Sequence, residues 1–171
     1  MAGDSRGRSP VLGDGVSAVK LQYSGQERVA ATPDVVWGFV TEPEKIMTCV
    51  PELIEGTIRD PSHFEAVVRV AVGPVRGRFT FKFEMQPDPA TRRMQMRISG
   101  GGFGSAVDMT AASDIVAAPD DVTLLNWSGE AIMRGPIAAV GGRVLDAQAR
   151  KLITQTFANV RERLSQETTR L

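Results

Sequence analysis

This chain of 171 residues has almost no histidine or cysteine: one of each, His63 and Cys49. A single cysteine excludes an internal disulfide and a cysteine-rich zinc site. It fits a reducing, cytoplasmic setting. Acid–base and nucleophilic catalysis rely on a histidine, or on an activated serine or cysteine beside a partner. His63 sits in the turn-like segment Asp60-Pro61-Ser62-His63, where a solvated side chain is expected. Cys49, in Thr48-Cys49-Val50-Pro51, reads as a half-buried thiol packing a short helix rather than as a thiolate nucleophile.

Other absences narrow the field further. Twenty basic and 20 acidic side chains cancel, whereas nucleic-acid binding needs a basic excess. No apolar run approaches the roughly 18 residues of a membrane-spanning helix, and the N-terminus lacks the apolar core of a signal peptide. No acidic pair stands at metal-ligand spacing; Asp108 and Asp114 share one solvated strand face. Gly100 to Gly104 is not followed by Lys-Ser or Lys-Thr, so it reads as a bulge or wide turn, not a phosphate loop.

What remains suits one soluble domain with one core, burying about 70% of the unfolded surface. Residues 1–20 are rich in Gly, Ser, Asp and Arg and predict a flexible tail; 166–171 predict a short C-terminal tail. Between them, 21–165 form the domain. Leu21 to Val29 reads as a first strand. Thr32 is the expected N-cap of a short helix with Pro33 at its first position, Val36, Trp37 and Val40 facing inward. Glu42 to Met47 starts a second short helix, closed by Pro51.

Strands then follow one another, and short turns between neighbours imply antiparallel pairing. Phe79, Phe81, Phe83 and Met85 alternate with Thr80, Lys82, Glu84 and Gln86, and Met94, Met96 and Ile98 with Gln95, Arg97 and Ser99. Ala106–Ala117 and Val122–Met133 alternate less cleanly and leave the face of Trp127 open. From Leu145, the residues Ala149, Leu152, Ile153, Thr156, Val160 and Leu164 form one stripe of a long helix, with a kink or restart at Gly141-Gly142. Such a helix must bury its stripe, and the sheet is its only large partner. The expected architecture is an α+β sheet wrapped around a C-terminal helix over an apolar cavity. The cavity would be lined by Phe79, Phe81, Phe83, Met94, Met96, Ile98 and Trp127 from the sheet, and by Leu145, Ala149, Leu152, Ile153 and Thr156 from the helix. Those helix residues would face the Phe79–Phe83 strand, the small ones leaving room for a ligand.

The segment Val72-Gly73-Pro74-Val75-Arg76-Gly77-Arg78-Phe79 resembles the VGPVKGRF segment of the CoxG-like family of carbon monoxide dehydrogenase subunits. Cys49-Val50-Pro51 resembles that family's Cys-x-Pro, and Val36-Trp37 its VW. Gly142 to Leu152 resembles GSRLIDGAARKL, and Phe157-Ala158-Asn159 its Phe-x-Asn. Glu52 departs from the pattern, which has Gly after the Pro. The resemblance spans about residues 20–165 and implies the START-like, helix-grip fold (the SRPBCC superfamily): a seven-stranded antiparallel sheet gripping a C-terminal helix. It also implies a non-enzymatic accessory protein with no cofactor of its own. Such a protein would hold a lipid or quinone and assist a carbon monoxide dehydrogenase or related molybdenum hydroxylase, in part by recruitment to the membrane through peripheral contact. The alternative within the same superfamily is a polyketide cyclase or hydratase, which needs polar groups in the cavity: Asn126, Ser128, Arg97 and Glu130 are the candidates. An assembly factor acting through surface contacts alone is a third reading.

Overall fold

The computed structural model describes residues 18–170. Seven strands form one sheet: β1 (Ala18–Val29), β2 (Leu53–Asp60), β3 (His63–Val72), β4 (Val75–Asp88), β5 (Arg93–Gly102), β6 (Ser105–Ala118) and β7 (Val122–Arg134). Their order is β1-β7-β6-β5-β4-β3-β2, antiparallel throughout. Helices α1 (Pro33–Val40) and α2 (Pro43–Met47) follow β1, while α3 (Pro136–Ala139) and α4 (Gly142–Arg170) follow β7.

The local chemistry explains these boundaries. The Thr32 hydroxyl accepts from Val35 N–H at 3.3 Å, capping α1 with Pro33 in its first turn. Val36 and Phe39 are its buried residues, Trp37 and Val40 half-buried. Gly141 has φ +103°, a left-handed conformation that suits glycine, and it separates α3 from α4. The glycine run stays in the sheet: β5 continues to Gly102, and the turn falls at Phe103-Gly104. A side chain at Gly100 would collide with the backbone of Thr80 and Phe81 on the paired strand.

Residues 1–17, most of the expected N-terminal tail, lie outside the described residues; Ala18 to Lys20 already belong to β1. The expected C-terminal tail, 166–171, begins within a helix. Helix α4 runs on to Arg170, and Glu167 accepts a hydrogen bond from Lys45 at 2.9 Å.

Strand parity divides the sheet into two faces. On β4, Phe79, Phe81, Phe83 and Met85 are buried, and the alternate residues Thr80, Lys82, Glu84 and Gln86 are exposed. Phe83 stacks on Phe64 of β3, ring centroids 4.3 Å apart. Each such buried side chain contributes about 1.5–3 kcal/mol. The helices cover this inner face. Helix α4 comes nearest β1 at one side and β3 toward the other, rather than the central strands, so the sheet grips the helix by its flanks.

Candidate functional site

Helix α4 is pinned at both ends of its inner stripe. Near the start, Tyr23 of β1 donates its hydroxyl proton to Asp146 at 2.5 Å, and Arg150 lies over the Tyr23 ring. Further along, Phe157 packs on Trp127, centroids 5.5 Å apart, and Asn159 donates to the carbonyl of Cys49 at 3.1 Å. Leu145 joins the core cluster that contains the β4 phenylalanines. Val160 and Leu164 join a second cluster, with Val36, Phe39, Cys49, Ile115 and Leu125. Between the two pins, Ala149, Leu152, Ile153 and Thr156 are half-buried and fall in neither cluster.

The sheet opposite shows a matching gap. On the inner face of β6, Val107 and Ile115 are buried, but Ala111 midway between them is exposed. Register places Ala111 between Met96 of β5 and Gly129 of β7; Met109, next along that face, lies between Ile98 and Ala131. Met96, Ile98, Met109 and Ala131 are half-buried. An exposed alanine on a central strand, on the face the helix covers, means that solvent-sized space remains between helix and sheet. Small residues border it on the sheet: Ala111, Gly129 and Ala131.

Two polar atoms on this face are buried without a partner, Ser113 Oγ and Trp127 Nε1. Their residues are neighbours across β6 and β7. The indole lies over Gly25 of β1, where a Cβ would stand 3.1 Å from Nε1. The face of Trp127, which the sequence pattern left open, is therefore the inner one.

The twelve residues expected from the sequence divide by what surrounds them. Phe79, Phe81, Phe83, Met94 and Leu145 are packed into the core. Met96, Ile98, Trp127, Ala149, Leu152, Ile153 and Thr156 stay half-buried beside the gap. The helix residues were expected opposite the Phe79–Phe83 strand. Leu145 shares a core cluster with Phe79, Phe81 and Phe83, while Asp146 and Phe157 tie the helix to β1 and β7. Leu21, Met109, Ala111, Ala131 and Phe157 were not among the expected residues. Only Phe157 carried a readable signal, its Phe-x-Asn motif.

The polar candidates for a cyclase fall on the wrong side. Asn126, Ser128, Glu130 and Arg97 have outer-face parity. Asn126 accepts from Gln26 and Glu130 pairs with Lys20. A broad depression of about 580 Å³ lies there, lined by Lys82, Glu84, Arg97, Asp108, Thr110 and Glu130 among others. Its lining mixes these charged side chains with Phe83, Ile98, Met109 and Ile132, and it opens on the outer face rather than beneath the helix.

Neither the histidine nor the cysteine is placed for catalysis. His63 Nδ1 lies 2.8 Å from Asp60 Oδ1, within hydrogen-bond distance, in the exposed β2–β3 turn. Its pKa is raised by that hydrogen bond. Burial pushes the Cys49 thiol up to about 11, the reverse of thiolate activation. Among the described residues, no group of three or more His, Cys, Asp or Glu could hold a metal ion, and no helix is long and apolar enough to cross a membrane.

Comparison with solved structures places the fold. A conserved protein from Geobacillus kaustophilus superposes with a TM-score of 0.77 at 20% identity, covering 85% of this chain and 96% of that one. A START superfamily protein from Mycobacterium smegmatis gives 0.66 at 19% identity, over 85% and 97%. The aromatase/cyclase Zhui of Streptomyces sp. R1128 gives 0.60 at 15%, over 88% and 94%. These likenesses establish a START-like, helix-grip architecture. No curated protein matches the sequence. Residues 25–165, from the middle of β1 through most of α4, match the family of the carbon monoxide dehydrogenase CoxG subunit, and the chain belongs to that family.

Proposed function

We propose that this chain is a non-enzymatic accessory protein. It holds an apolar small molecule, a lipid or quinone, between α4 and the centre of the sheet. In that role it assists a carbon monoxide dehydrogenase or a related molybdenum hydroxylase in the cytoplasm, by assembly or by bringing the enzyme to its membrane electron acceptor. The single observation that carries the ligand-binding part is the exposure of Ala111 on the helix-covered face, between buried Val107 and Ile115. A face packed only for stability would leave no alanine open there.

The lining supports binding over turnover. It offers methionine, isoleucine, leucine, alanine and indole surface, which suits an adaptable apolar ligand. Its ionisable neighbours are engaged with each other: Tyr23 with Asp146, Glu27 with Arg161. The tie to a carbon monoxide dehydrogenase rests on family membership alone.

Native mass spectrometry of the protein mixed with a bacterial lipid extract tests the reading. The expected result is a retained apolar adduct, lost in Ala149→Trp, whose indole would fill the space between the two pins. A protein that captures no lipid or quinone, in either form, would overturn it.

A further inference from the structure

The molecule's two ends differ in charge. At one end meet the β3–β4 turn, the β5–β6 turn and the α3–α4 corner. Gly73 lies against Val140, Gly104 against Pro136, and Ile137 N–H donates to Ser105 Oγ at 2.9 Å. The segments forming this end, 71–78, 100–107 and 131–145, contain Arg76, Arg78, Arg134 and Arg143 but no aspartate or glutamate. Arg134 pairs with Asp108. Arg76, Arg78 and Arg143 are at least partly exposed, and among the described residues no ion pair engages them. The turns at the opposite end carry Asp60, Asp88, Asp120 and Asp121. Arginines without an ion pair thus gather on one tip, while Arg59, Arg92 and Arg93 near the other end are paired with acids.

The same tip carries exposed apolar side chains. Phe103, at the apex of the β5–β6 turn, is 67% exposed, and Val144, in the first turn of α4, is 46% exposed. The Phe103 ring lies over Gly77, between Arg76 and Arg78 in sequence; a side chain at position 77 would collide with it.

We infer that this tip docks on an anionic phospholipid bilayer, Phe103 and Val144 entering the headgroup boundary and Arg76, Arg78 and Arg143 meeting lipid phosphates. Apolar groups flanked by unpaired cations match what a negatively charged interface requires; the acids that border the tip are engaged, Asp108 by Arg134 and Asp146 by Tyr23 and Arg150. A protein partner would instead favour a flat, contiguous apolar patch with a packed centre, whereas here the large side chains project singly from turns. The inference deepens the proposed lipid or quinone carriage and rests on it for its purpose, since a carrier must reach the bilayer; the surface argument stands on exposure and charge.

Sedimentation of the full chain with phosphatidylcholine vesicles, with and without phosphatidylglycerol, tests it. Binding is expected only with the anionic lipid and should fall with salt. Arg76→Ala and Arg143→Ala should each weaken partitioning roughly fivefold, and Phe103→Ser roughly tenfold. Arg59→Ala, the same charge loss at the opposite end, should leave it within about twofold of wild type. Thermal melts confirm that each variant is folded. No binding to anionic vesicles, or tip variants that bind like wild type, would overturn the inference. A short-chain quinone titrated in solution without vesicles separates the two readings. Quinone binding without vesicle binding sinks the docking tip alone. Vesicle binding through the tip without quinone binding upholds it and counts against the proposed ligand.

Discussion

Asn159 of α4 donates its side-chain N–H to the carbonyl oxygen of Cys49 at 3.1 Å. Two short motifs, Cys-x-Pro after α2 and Phe-x-Asn late in α4, are thereby joined across 110 residues. The bond satisfies a carbonyl just past a five-residue helix that cannot satisfy it internally. Asn159→Ala should cost about 1 kcal/mol, seen as a Tm lower by roughly 2–4 °C. The thiol reports the same event. With its pKa raised to about 11 by burial, Cys49 should resist a disulfide reagent at pH 8 in the wild type and label faster in the variant. Because its folded pKa lies above the usual 9.0, the contribution is full below pH 9 and fades as pH climbs toward 11. Equal labelling rates in the two proteins would separate the bond from the burial.

Tyr23 and Asp146 make a second tie, and its pH dependence runs both ways. Burial, then the Asp146 hydrogen bond, pushes the phenol up to about 12, so this contribution is complete below pH 10 and is lost between 10 and about 12. The Tyr23 and Arg150 hydrogen bonds hold the Asp146 carboxyl below its usual value. Its contribution is present above about pH 4 and is lost as pH falls through the lowered pKa. Tyr23→Phe should therefore melt below wild type at neutral pH, with the gap closing at both extremes. Hydrogen exchange should quicken in the first turns of α4. A gap of constant size across pH would mean that the hydroxyl's bond to Asp146 is not its source.

Glu52 has φ +60°, a left-handed conformation that costs a residue with a Cβ about 1–2 kcal/mol. This is the position where the family pattern has glycine. Its ion pair with Arg69 is long, 3.7 Å, and exposed, worth little. Glu52→Gly should raise stability by about 0.5–1 kcal/mol, the relief of strain exceeding glycine's added chain entropy. Urea unfolding measures it, and a destabilised variant would show that the carboxylate does more than the geometry suggests.

Strands β4 and β5 and helix α4 are readable in the sequence because their large apolar side chains recur at clean periods of two and 3.6. The same alternation sets Arg97 on the face opposite Met96, so its outer-face position was legible too. Strand β2 was not readable, since nearly every residue from Leu53 to Asp60 is exposed on a sheet edge and no alternation survives. The gap itself was hidden for another reason. Alanine and glycine on β6 and β7 suit either face, and only the sheet's curvature decides that Ala111 is left open while Val107 four residues earlier is covered.

That contrast between Ala111 and Val107 gives the most direct test of the site. Both lie on the inner face of β6 and neither carries a polar group, so they differ chiefly in what stands above them. Val107 is 7% exposed within the core that holds Phe79 and Leu145. Val107→Ala should leave a cavity and cost about 2 kcal/mol. Ala111→Leu adds side chain into space already open, so the variant should melt at or slightly above the wild-type temperature, where overpacking a filled core would cost about 1–3 kcal/mol. Quinone affinity should move the other way, falling at least roughly tenfold in Ala111→Leu and staying near wild type in folded Val107→Ala. A fluorescence-quenching titration beside a thermal melt reads both. A destabilised Ala111→Leu would mean that the space is closed by packing in solution, and an unchanged affinity would move the ligand away from the centre of the sheet.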